Sequence, residues 1–453
     1  METVNNVIAN LSGLVWGPPM LFLLMGTHLF LTVRLRGIQK HTFMAIKLSV
    51  AADNGSDGEI SQFGALATAL AATIGTGNII GVSTAIALGG PGAVLWTWMV
   101  GVFGMATKYA EALLSVKYRQ RNANGEWVGG PMYAIEKGLG MKWLAVLFAA
   151  FTSVATFGAG CCVQSHAISG YLYEYVHVPT WLSGAVVTAL TALVVIGGVK
   201  KISSVCEKVV PFMALFYFVS CIVILVINRE FLGSAIVLIV ESAFTAKAAA
   251  GGFVGSTLIS ACRYGVARGL FSNESGLGTA PIAAAAARTK NPVRQALVSM
   301  TGTFWDTVII CAMTGLVIVS SMLHVPQQFM GVADDALVKN SFKLLPSVGS
   351  YVLMIALAVF AFTTILGWCF YGEKATEYLF GLKAIKIYRI LFLIMLFVGS
   401  VVSLDIVFNF SDMMNGLMAF PNLVGLLLLS GVIVKETKKY LWDDNLDGQM
   451  EEE

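Results

Sequence analysis

Apolar residues come in long blocks along this chain. Segments of about 20 residues with few charges recur from end to end, each long enough to cross the hydrocarbon core of a bilayer as a helix. Eleven are predicted, at roughly 12–33, 61–88, 92–117, 143–172, 180–199, 207–228, 253–287, 293–322, 349–373, 387–405 and 416–435. None has the short alternating pattern of a membrane β-barrel strand. The expected fold class is an all-α polytopic membrane protein with eleven transmembrane helices. Stretches 37–52 and 231–247 are short and mixed, and each precedes an interrupted segment. Both read as helices lying along the membrane surface.

Charge placement tests that count. With the N-terminus outside, the chain's 29 Lys and Arg fall mostly on the inner side. The outer loops hold Arg229, Lys247, Lys339 and Lys343, while Lys108, Arg263 and Arg268 lie within spans. Such a bias, alternating loop by loop, is the positive-inside pattern of a plasma-membrane protein with a cytoplasmic C-terminus. The N-terminus has no basic n-region and no small-residue cleavage site, so the first segment is expected to be retained as a helix. The end, "DDNLDGQMEEE", is acidic and is expected to be disordered.

Composition narrows the chemistry. Of 453 residues, 57% are hydrophobic and 12% charged, with mean hydropathy +0.77; a soluble chain carries about 25% charged residues. The seven cysteines lie mostly inside apolar segments with no CxxC pair, and read as small packing residues. Five histidines make no HExxH motif. There is no P-loop, no Gly-x-Ser-x-Gly elbow and no repeated filter loop. Neither an enzyme, an ATP-driven pump nor a channel is expected, and no cofactor or nucleic-acid partner.

Two segments are interrupted in a way that ordinary helices avoid. The second contains "ATIGTGNIIG", with Gly75, Gly77 and Gly81 among Thr73, Thr76 and Asn78. The seventh contains "RGLFSNESGLGTAP", where Gly269, Gly276, Gly278 and Pro281 surround Ser272, Asn273, Glu274 and Ser275. Gly and Pro cost about 1 and 3 kcal/mol relative to Ala inside a helix. Backbone groups freed at such a break cannot face lipid, so they must line a protein-enclosed or watery cavity. Gly77-x-x-x-Gly81 taken alone is equally a helix-packing motif. Five spans apart, and in helices of opposite direction, the two breaks instead suggest an inverted repeat of segments 2–6 and 7–11 with a central binding site. Half-helix N-termini there suit a carboxylate, and half-helix C-termini an ammonium or Na⁺. Together they match a zwitterionic amino acid and a hard cation. The domain reading is an N-terminal helix (1–35), two repeats each led by its surface helix (36–228 and 229–436), and an acidic cytoplasmic tail (437–453).

The stretches "TIGTGNIIGVSTAIALGGPGAVLWTWMVGVFG", "GGPMYAIEKGLG" and "ARGLFSNESGLGTAPIAAAAA" resemble the alanine or glycine:cation symporters, archaeal sodium–alanine members included. The resemblance covers almost the whole chain. Leu95 and Thr97 depart from the family's commonest Phe-Trp-Met-Trp run, at positions expected to lie outside the ligand site. The family is similar to the amino acid–polyamine–cation superfamily, which implies a LeuT-type 5+5 inverted repeat and sodium-coupled import of alanine and glycine.

The resemblance also implies residue roles. Backbone N–H groups of Gly75, Thr76 and Gly77 would hold the carboxylate, with carbonyls near Thr73, Phe271 and Ser272 receiving the ammonium. Asn78 would stabilise the unwound turn or touch the carboxylate, and Asn273 and Gly276 would complete the pocket. Glu274 is placed either to accept the ammonium or to pair with Arg268 or Arg263. A sodium ion would sit among the carbonyls of Ala71, Ile74 and Phe360 and the hydroxyls of Thr363 and Thr364. The plainer reading of the two threonines is back-bonding to the preceding turn. Trp368, about one turn further on, would shrink the pocket toward alanine, glycine or serine. Intramembrane Asp306 suits a second cation site or an internal pair. Lys108 and Glu111 suit a snorkelling or salt-bridging structural role, Gln164 the pocket or an interhelical bond, and Phe157 an apolar wall, the core or a lipid-facing position.

Overall fold

The computed structural model describes residues 2–51, 57–244, 258–332, 335–402 and 405–450. Lys247, the start of the seventh predicted segment and the last residues of the second surface stretch lie outside these. The chain is mostly helical. It opens with α1 (Glu2–Val15) and α2 (Pro18–Arg34), divided at Gly17 where two prolines begin α2. After α3 (Thr42–Ser49) comes the first interrupted segment. Here α4 (Gln62–Thr73) and α5 (Val82–Gly89) are joined by a π-helical turn, Gly77–Gly81, and bent by 54°. The long α6 (Ala93–Lys117) leads through a hairpin, β1 (Gln120–Arg121) against β2 (Trp127–Val128), to α7 (Pro131–Leu139). Next are α8 (Lys142–Phe157) and α9 (Val163–Val176), one rod with a π turn at Gly158–Cys162. Two outer helices follow, α10 (Thr180–Val195) and α11 (Gly198–Ile227).

The second half starts with α12 (Leu232–Phe244), then α13 (Leu258–Asn273) and the four-residue α14 (Pro281–Ala284). A second rod joins α15 (Pro292–Thr303) to α16 (Ala312–His324) through π-wound Phe304–Cys311. The remainder is α17 (Ala336–Phe342), α18 (Gly349–Phe380), α19 (Ala384–Val401), α20 (Asp405–Leu428) and α21 (Ser430–Thr437).

Among the described residues six helices are long and apolar enough to cross a membrane, and up to eight if each bent pair is one span. Outward faces of α10, α11, α12 and α19 present Leu193, Phe212, Val237 and Ile394, each more than half exposed. A face this apolar suits lipid, since soluble monomers rarely expose such continuous patches. The protein is therefore multi-pass. α6 is less apolar than these because its C-terminal turns carry polar residues. They are tolerated because the neighbours cover them, leaving Lys108 and Glu111 each 3% exposed.

Two expectations are corrected. The seventh segment is not two half-helices around a short break: residues 274–280 leave the helix altogether, and only α14 and a turn follow. Positive φ at Glu274 (55°), Gly276 (90°) and Gly278 (83°) makes a compact loop that a helix cannot re-enter at once. The acidic end is not loose as far as Met450. Asn291 Nδ2 donates to Leu446 O (2.8 Å) and Gly448 O (2.9 Å), Asp447 pairs with Lys290 and Arg294, and the Met450 N–H reaches Lys290 O. The start of the first broken segment is stitched to the end of the second by a parallel bridge between Ile60 and Ala287.

Candidate functional site

The site begins where α4 stops. Ile74 turns to extended backbone (ψ 92°), and glycines at 75 and 77 let the chain re-enter a helix in a new direction. Gly75 has no room for a side chain: a Cβ there would lie 2.5 Å from Thr364 Oγ1. The bend is held by Asn78, which is fully buried. Its Oδ1 accepts the Gly75 N–H (2.8 Å), and its Nδ2 donates to Asp306 Oδ1 (2.7 Å). Asp306 Oδ2 accepts from Ser272 Oγ (3.0 Å) and Thr307 Oγ1 (2.6 Å). One carboxylate, carried on the π-wound stretch of the α15–α16 rod, thus ties the first break to the end of α13. Of the two readings left open for Asp306, these bonds fit the internal pair. Asn78 is the turn's brace.

Two cavities meet at this bend. The inner one is small, about 20 Å³, and is lined by Ala72, Thr73, Gly75, Thr76, Gly77, Ala159, Gln164, Phe271, Glu274, Thr364 and Trp368. The outer vestibule, about 360 Å³, shares Thr76, Gly77, Ala159 and Phe271 with it and continues past Gly81, Ala167, Arg268 and Asp412. Those four shared residues are the partition between them. Thr76 and Gly77 begin a new helical segment, where backbone N–H groups have no helical acceptor.

Of the residues singled out from the sequence, Thr73, Gly75, Thr76, Gly77, Gln164, Phe271, Thr364 and Trp368 come together around the inner cavity. Asn78, Ser272, Asn273 and Gly276 line neither cavity. Ser272 and Asn78 face Asp306. Asn273 donates to Thr307 Oγ1 (3.1 Å) on the α15–α16 rod and accepts the Ser275 N–H, so its amide is spent on the rod and the loop. Gly276 faces Leu24, Leu423 and His28 on the far side of the same loop. The Gly75 N–H is taken by Asn78, which leaves Thr76 and Gly77 as the nearest backbone donors. Glu274 lines the cavity and accepts a hydrogen bond from Thr279 Oγ1 rather than pairing with either arginine.

Gln164 donates to Ala159 O (3.1 Å), and among the described residues its buried Oε1 has no partner. Trp368 fits because residue 160 is glycine: a Cβ there would collide with the Trp368 Cβ. Phe157 is partly buried and packs against the core, its ring tilted against those of Tyr388 and Phe392. Thr97 donates to Gly265 O in the α6–α13 contact, and neither it nor Leu95 lines either of these two cavities. Ala159 was missed from the sequence. A methyl group carries no chemical label, and the only signal was the run "GAGCC" in an otherwise bulky segment.

Beside the inner cavity, Thr364 Oγ1 lies 3.4 Å from Ile74 O and 3.0 Å from Phe360 O, and Thr363 Oγ1 lies 2.9 Å from Phe360 O. Two carbonyls and two hydroxyls converge where the first break crosses α18. Ala71 is buried one turn before Ile74. An all-oxygen set of this kind suits a hard cation. Among the described residues no cluster of His, Cys, Asp and Glu is arranged for a transition metal.

The sequence and the fold have known counterparts. The Sodium:alanine symporter family model matches residues 1–452. The sodium/alanine symporter AgcS of Methanococcus maripaludis is 48% identical over 96% of this chain and 97% of its own length. An uncharacterised transporter of Haemophilus influenzae is 48% identical over 97% of this chain and 96% of its own. The crystal structure of MhsT in complex with L-phenylalanine superposes with a TM-score of 0.55 at 16% identity, covering 84% of this chain and 98% of that one, which shows a LeuT-like fold. A whole-length family match, a relative this similar and a bent helix crossing a pair of threonines agree: the chain belongs to the sodium:alanine symporter family.

Proposed function

We propose that the protein imports small neutral amino acids, alanine foremost and glycine with it, driven by the sodium gradient through alternating access. The observation that carries this reading is the convergence of both broken segments on one small cavity, with Thr364 forming part of its wall and reaching the Ile74 carbonyl. The substrate carboxylate meets the N–H groups of Thr76 and Gly77. The ammonium faces the carbonyls near Thr73 and Phe271 and the free Oε1 of Gln164, with Trp368 capping the side-chain end. Sodium sits among Ala71, Ile74, Phe360, Thr363 and Thr364. Gly75 lies between the two ligands, so ordering the bend around sodium also shapes the amino-acid site; that is the physical route for coupling.

The arrangement is eleven spans with the N-terminus outside, an inverted repeat of segments 2–6 and 7–11, and a bundle of spans 2, 3, 7 and 8 rocking against spans 4, 5, 9 and 10. The test is uptake of labelled alanine into proteoliposomes with and without an inward sodium gradient. Gradient-dependent uptake is expected; uptake indifferent to sodium overturns the reading. The acid Glu274 in the cavity wall favours one rival, proton drive. An inward proton gradient in sodium-free buffer is the arm that detects it.

A further inference from the structure

The loop at 274–280 is shaped by a residue from another helix. Its three positive-φ residues alternate along the loop, and the N–H groups of Gly276 and Gly278 converge on one acceptor, as in an anion-binding nest. Glu111 of α6 stands there. One of its oxygens, Oε1, accepts the N–H of Gly276 (2.9 Å) and of Gly278 (3.1 Å), together with Asn422 Nδ2 of α20 (2.7 Å). Asn422 Nδ2 also reaches Gly276 O (2.9 Å). The residue expected to pair with Glu111 does not do so: among the described residues Lys108 Nζ, though buried, has no hydrogen-bond partner, and neither has Glu111 Oε2. The carboxylate spends its bonds on the loop rather than on a counter-ion.

The loop in turn carries part of the amino-acid site. Glu274 at its start lines the inner cavity, and its carboxyl accepts from Thr279 at the loop's end. Phe271, three residues earlier, is part of the partition between the cavities. Charge-assisted bonds to a carboxylate are about twice as strong as neutral ones, and in a buried setting no water replaces a lost acceptor cheaply. Without that anion the nest has nothing to close on.

We infer that Glu111 is a positioning residue for amino-acid binding: it fixes the 274–280 loop in the shape that presents Glu274 and Phe271 to the inner cavity. The inference rests on the import reading above. The test uses the full chain in proteoliposomes. For Glu111→Gln, the KM for alanine is expected to rise about tenfold or more as the charge-assisted bonds weaken, while maximal rate and half-saturating sodium stay put. The double variant Lys108→Met with Glu111→Gln is expected to stay impaired. Recovery there would show that Glu111 serves only to balance Lys108, and would overturn the inference. A readout independent of transport is amide hydrogen exchange in the purified protein. Exchange at Gly276 and Gly278 is expected to speed up in Glu111→Gln, with the helices unchanged. Unchanged exchange at those two amides overturns the inference even if KM moves. A wild-type protein that imports no alanine defeats the import reading instead, so the two failures are told apart.

Discussion

Thr364 has one hydroxyl proton and two carbonyls within reach, Phe360 O at 3.0 Å and Ile74 O at 3.4 Å. It donates to one at a time, and the shorter contact wins. Its lone pairs are then free for a cation lying toward Ile74. Replacing Thr364 with alanine is expected to raise half-saturating sodium about tenfold, roughly 1.4 kcal/mol, with Thr364→Ser largely retaining function. Sodium titration of alanine uptake measures this, and an unchanged titration removes Thr364 from the cation site. Trp368 makes the second residue-scale prediction. Trp368→Leu removes bulk from the cavity wall, so valine is expected to compete for alanine uptake where it did not before; valine without effect would show that the indole does not set substrate size. These residues were legible because their chemistry is unusual for a mid-span position: glycines beside threonines, a hydroxyl pair, an indole far from either interface. Asn273 and Gly276 looked as informative, yet face away from the cavity. Sequence marks where a helix breaks, but the loop's φ angles decide which way its residues then point.

At the scale of elements, the bend in α4–α5 depends on an amide facing an acid across two broken or π-wound segments. Asn78→Asp puts two carboxylates where Asn78 Nδ2 now meets Asp306 Oδ1 at 2.7 Å, and is expected to abolish uptake. Exchanging the pair, Asn78→Asp with Asp306→Asn, restores a match. The carboxylate now at position 78 still accepts the Gly75 N–H and also accepts from the new amide at position 306. Ser272 and Thr307 then donate to the carbonyl of that amide. Partial recovery of uptake in the double variant is expected, and no recovery would mean that charge at Asp306 matters beyond holding the bend. The existence of the break was readable from Gly-rich composition. Its lock was not, because Asp306 is 228 residues away from Asn78. The tail was misread for a related reason: acidity suggests disorder only when no basic surface is waiting. Asp447 docks on Lys290 and Arg294; the hydrogen bond from Lys290 and the charges of both hold its carboxyl below the usual range. A lowered value means that docking persists at neutral pH and fades as pH falls through it. Faster amide exchange at Met450 is expected in Asp447→Asn, and in high salt for the wild type, since the contact is exposed and screened.

The whole molecule is asymmetric across its thickness. On one side the Ile60–Ala287 bridge, Arg119 bonded to Ala285 O (3.1 Å) and Ala287 O (2.8 Å), and the docked tail close the protein beneath the inner cavity. On the other side the vestibule leads down to the partition at Phe271. With the proposed orientation, N-terminus outside, the closed side faces the cytoplasm and this arrangement is outward-facing, and the proposed alternating access requires the vestibule to shut when both ligands are in place. Ala167 lines the vestibule and not the inner cavity, which makes it a reporter that leaves the ligands alone. The native cysteines are buried apart from half-buried Cys262, so Ala167→Cys in a Cys262→Ala background gives one accessible thiol. A membrane-impermeant maleimide added to intact cells is expected to label it. Labelling is expected to fall when sodium and alanine are supplied together, and much less with either alone, because only the doubly loaded bend and loop favour the closed state. Labelling from the cytoplasmic side alone would reverse the orientation. Labelling indifferent to both ligands would leave a binding protein without the motion that transport needs.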